Sequence, residues 1–151
     1  MRAVIQKVKR ASVTVDSDII SSINNGLIIL LGVEDRDTDE DIEYLSSKIA
    51  NLRIFNDDNG VMNLSILDVG GDAICVSQFT LFASTKKGNR PSYIRASKRE
   101  FSQPMYDKFC KALSSKLNKT IGTGIFGADM TVEIINDGPT TIIMDSKEKD
   151  F

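Results

Sequence analysis

The 151-residue sequence has no histidine and no tryptophan, only two cysteines and three prolines. Without histidine there is no Ser-His-Asp triad, no Cys-His pair, no imidazole general base and no His-ligated zinc. Cys75 and Cys110 form neither a CxxC motif nor a four-cysteine cluster. Each falls in an apolar pattern and reads as a small buried hydrophobe rather than a redox centre. An enzyme of this composition works with hydroxyls, carboxylates, backbone groups or chemistry that its substrate brings. Neither a metal nor a cofactor is expected. Long apolar runs are missing too. Leu27 to Val33 is too short to span a bilayer, and the first residues lack a signal-peptide core. A soluble cytoplasmic protein with no membrane partner is expected. Its length predicts one domain, residues 1–146, with a frayed charged tail at 147–151.

The formal net charge is −2, which gives no reason to expect DNA or RNA, but the charge is unevenly spread. Residues 84–99 carry Lys86, Lys87, Arg90, Arg95, Lys98 and Arg99 and no acid. Residues 1–15 add Arg2, Lys7, Lys9 and Arg10. Residues 34–43 hold seven acids against Arg36. The basic stretch reads either as a solvated loop or as a rim that meets phosphates despite the acidic total.

The chain opens as strands at Ala3 to Val8, Ser12 to Asp16 and Ile19 to Ile23, with turns at Asp16-Ser17-Asp18 and Asn24-Asn25-Gly26. Leu27 to Val33 is apolar at both parities, the mark of a strand buried on both faces. Ile42, Leu45, Ile49 and Leu52 predict a helix over Asp37 to Leu52, capped by Asp37 with Glu40. Asn56 to Gly60 is a turn without the ligands of a calcium loop. Ala73 to Phe82 reads as one long strand. Ser97 with Glu100 reads as a capping box for a second helix reaching Leu117, with Phe101, Met105, Phe109, Leu113 and Leu117 on its buried face. Thr131 to Ile135 and Thr140 to Met144 read as a final pair of strands joined at Asn136-Asp137-Gly138-Pro139. The fold class is therefore mixed α/β, α+β-like: a curved, barrel-like sheet with two helices on one face.

Three stretches exceed what a core needs: Ser77-Gln78-Phe79-Thr80, Gly124 to Met130, and Asn136 to Pro139. Singly they read as a strand end, a loop and a hairpin. In order, with Ala3 to Val8, Ala11 to Val15, Asn51 to Phe55, Met62 to Ser65 and Lys87-Gly88-Asn89-Arg90-Pro91-Ser92, they resemble the D-aminoacyl-tRNA deacylases, from Met1 to about Ser146. Lys7 stands where many members carry Arg, and Thr140 where Val is common.

The resemblance implies hydrolysis of the ester joining a D-amino acid, or mischarged glycine, to the terminal ribose of tRNA. It implies a homodimer whose sites lie at the subunit interface and receive the aminoacyl-tRNA acceptor end. Ser77, Gln78, Phe79 and Thr80 would line the site. Gly138 and Pro139, with a cis bond, would enter from the partner and exclude L-substrates with a backbone wall. Phe126, Met130 and Asn136 would meet substrate and terminal adenosine, and Lys7 would brace the site. Lys86, Lys87 and Arg90 would contact tRNA phosphates. Two hydrolytic mechanisms remain open: Thr80 as nucleophile, or water activated with help from the ribose 2′-OH. A non-catalytic RNA-binding module and a structural dimer are the alternative classes.

Overall fold

The computed structural model describes residues 1–150. Three strands open the chain: β1 (Arg2–Val15), β2 (Asp18–Ile23) and β3 (Gly26–Gly32). Helix α1 (Asp39–Ala50) follows, then the small hairpin β4 (Phe55–Asn56) and β5 (Met62–Leu64), and the short helix α2 (Ile66–Val69). Next come β6 (Asp72–Ser77), helix α3 (Arg99–Leu117), β7 (Gly122–Thr123) and β8 (Thr131–Asp145). The main sheet runs β2-β1-β3-β6-β7, with β8 on the other side of β1. The result is a mixed α/β fold with a nearly closed, barrel-like sheet and three helices; α2 is the addition to the two expected. No described helix is long and apolar enough to cross a membrane.

Side-chain parity divides the core in two. Ala3, Ile5, Leu27, Ile29, Ala73 and Cys75 face α1 and α3. Val8, Ala11, Val13, Ile28, Ile74 and Val76 fill the barrel side, covered by Met130, Val132 and Ile134. β3 lies between β1 and parallel β6 and is buried on both faces, as its composition requires. β1 changes faces between Ile5 and Val8, so the expected two opening strands are one continuous bent strand.

β8 departs most from the sequence pattern. It is no hairpin: both halves pair antiparallel with β1. Thr141 to Asp145 runs against Arg2 to Gln6, and Thr131 to Asn136 against Val8 to Thr14, with register shifts beside Lys7. Asp137 to Thr140 is therefore a bulge in one long strand. Turn residues mark bulges as readily as hairpins.

Three helix and strand boundaries also differ. Thr38, with Asp41, caps α1; Asp37 instead pairs, buried, with the Met1 ammonium. β6 stops at Ser77 because its partner β3 ends at Gly32. Phe79 to Phe82 folds into a 3-10 turn packed on Gly32. Ser97 does not cap α3. Its amide donates to Val33 O and its hydroxyl to Asp35 Oδ1, while Lys98 occupies the cap position. Phe101 is exposed, and Ser102 and Tyr106 take its place on the buried face. A strict spacing of four overshoots each helical turn by about 40°, which carries Phe101 away from Leu117.

The chain beyond β8 starts firmly tied. Ser146 accepts from the Met1 ammonium at 2.9 Å, and Lys147 Nζ donates to Asp41 Oδ2 at 2.7 Å. Burial alone would push the Asp41 carboxyl up; hydrogen bonds from Lys147, Ser146 and Thr38 outweigh it and hold the group well below the usual carboxylate range.

Candidate active site

A cavity of about 420 Å³ opens where β3 and β6 end. Leu31 and Val33 form its floor with Val76. Ser77, Gln78 and Phe79 make one wall. Helix α3 supplies Arg99, Ser102 and Tyr106 after Ser97. The loop before β8 closes the other side with Phe126, Gly127, Ala128 and Met130. This placement follows from topology. Parallel β3 and β6 end together, and ligand crevices form outside the carboxyl ends of such strands.

Phe79 is 57% exposed at the mouth, and its ring meets Tyr93 edge-on at 5.1 Å. That contact brings the base of the basic loop to the cavity. The loop itself is pinched shut by Ser84 and Ser92, whose backbones exchange hydrogen bonds at 2.8 and 2.9 Å. Lys86, Lys87 and Arg90 stand exposed on it, outside the cavity lining.

Thr80 is the second residue of the Phe79–Phe82 turn and is absent from the lining. Gln78 Nε2 donates to its hydroxyl. Tyr106 is buried and donates to Cys75 O at 2.7 Å. Burial, then the neighbouring thiols of Cys75 and Cys110, pushes its phenol far above the ordinary range. Burial likewise pushes the Cys75 thiol up. Neither group is a base or a nucleophile at neutral pH.

The structure thus brings Ser77, Gln78, Phe79, Phe126 and Met130 around one cavity, and leaves Asn136, Gly138 and Pro139 outside it. These three lie on the β8 bulge. Asn136 Oδ1 accepts from Thr140 N at 3.0 Å, and its Nδ2 donates to Thr141 Oγ1 at 3.2 Å, so its amide clasps the bulge. The Gly138-Pro139 bond is cis, and Gly138 has φ +124°. A Cβ there would lie 2.5 Å from Thr140 Oγ1 and 2.9 Å from Thr140 N, so only glycine fits without strain. Lys7, buried, reaches the bulge through Asp137.

Sequence reasoning missed Arg99, Ser102 and Tyr106 as cavity residues. Their signal was the 3.6-residue period, which puts Ser102 and Tyr106 on the inner stripe of α3.

A family model for D-Tyr-tRNA(Tyr) deacylase matches residues 4–145. The chain belongs to the D-Tyr-tRNA(Tyr) deacylase family. Similar relatives named D-aminoacyl-tRNA deacylase come from Bacteroides thetaiotaomicron, 60% identical, and Flavobacterium psychrophilum, 61% identical. Each match spans 150 residues, 99% of this chain and 100% of the relative. A solved structure called c-Myc DNA Unwinding Element Binding Protein is 41% identical with a TM-score of 0.91, covering 96% of this chain and 98% of that one. The structure of a probable eukaryotic D-amino acid tRNA deacylase shares the fold at a TM-score of 0.83 and 17% identity, over 95% of this chain and 98% of that one. In this deacylase family member, the family match covers both the cavity residues and the β8 bulge.

Proposed function

We propose that this chain hydrolyses the ester between a D-amino acid and the terminal ribose of tRNA, and likewise releases mischarged glycine. The carrying observation is whole-length similarity of about 60% to relatives named D-aminoacyl-tRNA deacylase. A cavity lined by Ser77, Gln78 and Phe79 on one wall and Phe126 and Met130 on the other supports it.

A D- and an L-aminoacyl group carry the same atoms, so discrimination has to come from shape around Cα. A backbone wall discriminates better than a rotatable side chain. In this reading Gly138 and Pro139 supply that wall to the site of a second copy. Their position on the bulge, outside the cavity of their own chain, supports a cross-subunit role. The homodimer in turn is supported by β8. It is a 15-residue strand whose outer edge has no partner among the described residues, with Ile135 and Ile143 exposed along it.

For the hydrolytic step the reading favours water activated with the ribose 2′-OH. A nucleophilic Thr80 needs a group that takes its proton. Its hydrogen-bond partner is the Gln78 amide, which is no base in either orientation. The first backbone N–H groups of the Phe79–Phe82 turn lack intrahelical acceptors and are the donors assigned to the oxyanion.

The deciding experiment measures release of D-Tyr, L-Tyr and Gly from charged tRNA, with and without EDTA. Rapid EDTA-insensitive release of D-Tyr and Gly with L-Tyr retained is expected. Equal release of D-Tyr and L-Tyr, or no release, overturns the reading.

A further inference from the structure

Among the residues lining the 420 Å³ cavity, Arg99 is the only one that carries a charge. It enters no ion pair among the described residues. Its one hydrogen bond runs from Nε to the neutral Gln103 Oε1 at 3.0 Å. The guanidinium lies 5.9 Å from the Phe126 ring centroid, over its face. Gly127, with φ +78°, borders the guanidinium, and a Cβ there would meet it only in ordinary van der Waals contact at 3.5 Å. Glu100 and Asp107 share with Arg99 a separate, shallower depression rather than the cavity. Helix α3 thus holds a cation with no ion pair among the described residues beside an aromatic face, on the wall opposite Ser77 and Phe79.

The proposed substrate carries charges of both signs near the scissile ester. The α-ammonium belongs to the aminoacyl group, and the phosphodiester precedes the terminal nucleoside. A lone cation repels the first and attracts the second. Guanidinium suits a phosphate, which it can hold with two parallel N–H donors, and an aromatic face beside it suits a base. We propose that Arg99 is a specificity-determining residue that binds the phosphate of the terminal nucleotide. It thereby orients the aminoacyl end toward Ser77 and Phe79. This rests on the hydrolase reading above and adds to it the polarity with which substrate enters.

The test compares binding of adenosine 5′-monophosphate and adenosine to the full chain and to Arg99→Gln and Arg99→Lys. Arg99 is exposed, so the variants should keep the wild-type thermal midpoint. Wild type is expected to prefer the nucleotide by about fivefold, Arg99→Gln to show no preference, and Arg99→Lys to retain part of it. With D-tyrosyl-tRNA, Arg99→Gln should raise KM about fivefold, leave kcat within about twofold, and reduce the salt slope by about 0.7. Equal or absent binding of the two ligands by wild type, or a nucleotide preference that survives Arg99→Gln, overturns the proposal. The binding arm needs no turnover. A chain that releases no D-Tyr but shows the Arg99-dependent preference therefore overturns the hydrolase reading alone.

Discussion

The Lys7 ammonium lies 3.5 Å from the Asp137 carboxylate, opposite the point where β8 leaves its register with β1. The lysine is buried and the aspartate partly exposed, and Lys9 approaches the same carboxylate at 4.0 Å. Asp137 therefore anchors the first residue of the bulge to the strand it faces. Replacing Asp137 by Asn leaves a buried ammonium without its counter-charge. Chemical denaturation should show a loss of about 1–2 kcal/mol, less than for a fully buried pair because the aspartate meets solvent. Lys7→Met, which removes the charge altogether, should cost less than Asp137→Asn.

Gly138→Ala forces a Cβ against Thr140 at a φ that other residues avoid. Strain of about 1–3 kcal/mol should lower the thermal midpoint. In the folded fraction, release of L-Tyr relative to D-Tyr should rise as the bulge shifts. Unchanged discrimination in a folded variant would remove the wall from the mechanism.

Thr80→Ala removes a hydroxyl that accepts a hydrogen bond from the Gln78 amide and has no base beside it. Turnover should stay within about tenfold of wild type, whereas loss of a true nucleophile costs on the order of 10⁴-fold or more. A substrate ending in 2′-deoxyribose should be hydrolysed far more slowly by both proteins. Single-turnover rates decide between the two.

The boundaries that could be read in the sequence are those set by local pattern. Leu27 to Val33 is apolar at both parities because β1 and β6 flank it and both faces are covered. Ile42, Leu45 and Ile49 mark α1 because one helical face is buried against one layer. Where a tertiary partner chose between two local solutions, pattern failed. Ser97 has the chemistry of a cap, yet Val33 and Asp35 claim it. Phe79 and Leu81 alternate like strand residues, yet the neighbouring strand has already ended. Asn136 to Pro139 has hairpin composition, yet β1 is long enough to hold both halves of β8. The cavity was legible from its β6 wall and its Phe126 loop. The α3 wall stayed hidden, because helical phase has to be known to within a residue before Arg99, Ser102 and Tyr106 fall on it.

Lys86, Lys87 and Arg90 project from a loop held to the cavity mouth by the Phe79–Tyr93 contact. Replacing all three by Ala should lower kcat/KM at low salt and flatten its dependence on salt. The log–log slope should fall by about 0.7–0.9 for each phosphate that is no longer neutralised. Activity on a free aminoacyl-adenosine, which has no acceptor stem, should not change.

Asp41 carries a pH signature. Its folded-state carboxyl titrates below the ordinary value of 3.8, so it binds its proton less readily in the folded chain than in the unfolded one. The stability it contributes is complete above about pH 4 and drains away as pH falls toward the folded value. Asp41→Asn should destabilise the protein by about 1–2 kcal/mol at pH 7, with the gap to wild type closing on acidification. Urea midpoints from about pH 7 down to about pH 2.5 measure this directly.

The pairing of β1 with β8 has a consequence in time. Residues 2–14 find their partners at residues 131–145, so the most extended ladder in the molecule joins segments more than a hundred positions apart. Lengthening such a loop adds only slowly to the closure entropy, yet distant pairing slows folding. A nascent chain leaves the ribosome with one side of β1 bare until its last strand emerges. A bare strand edge is a template for the wrong neighbour. The charged Lys7, Lys9 and Arg10 in the middle of β1 give that waiting edge a means of repelling its own copies.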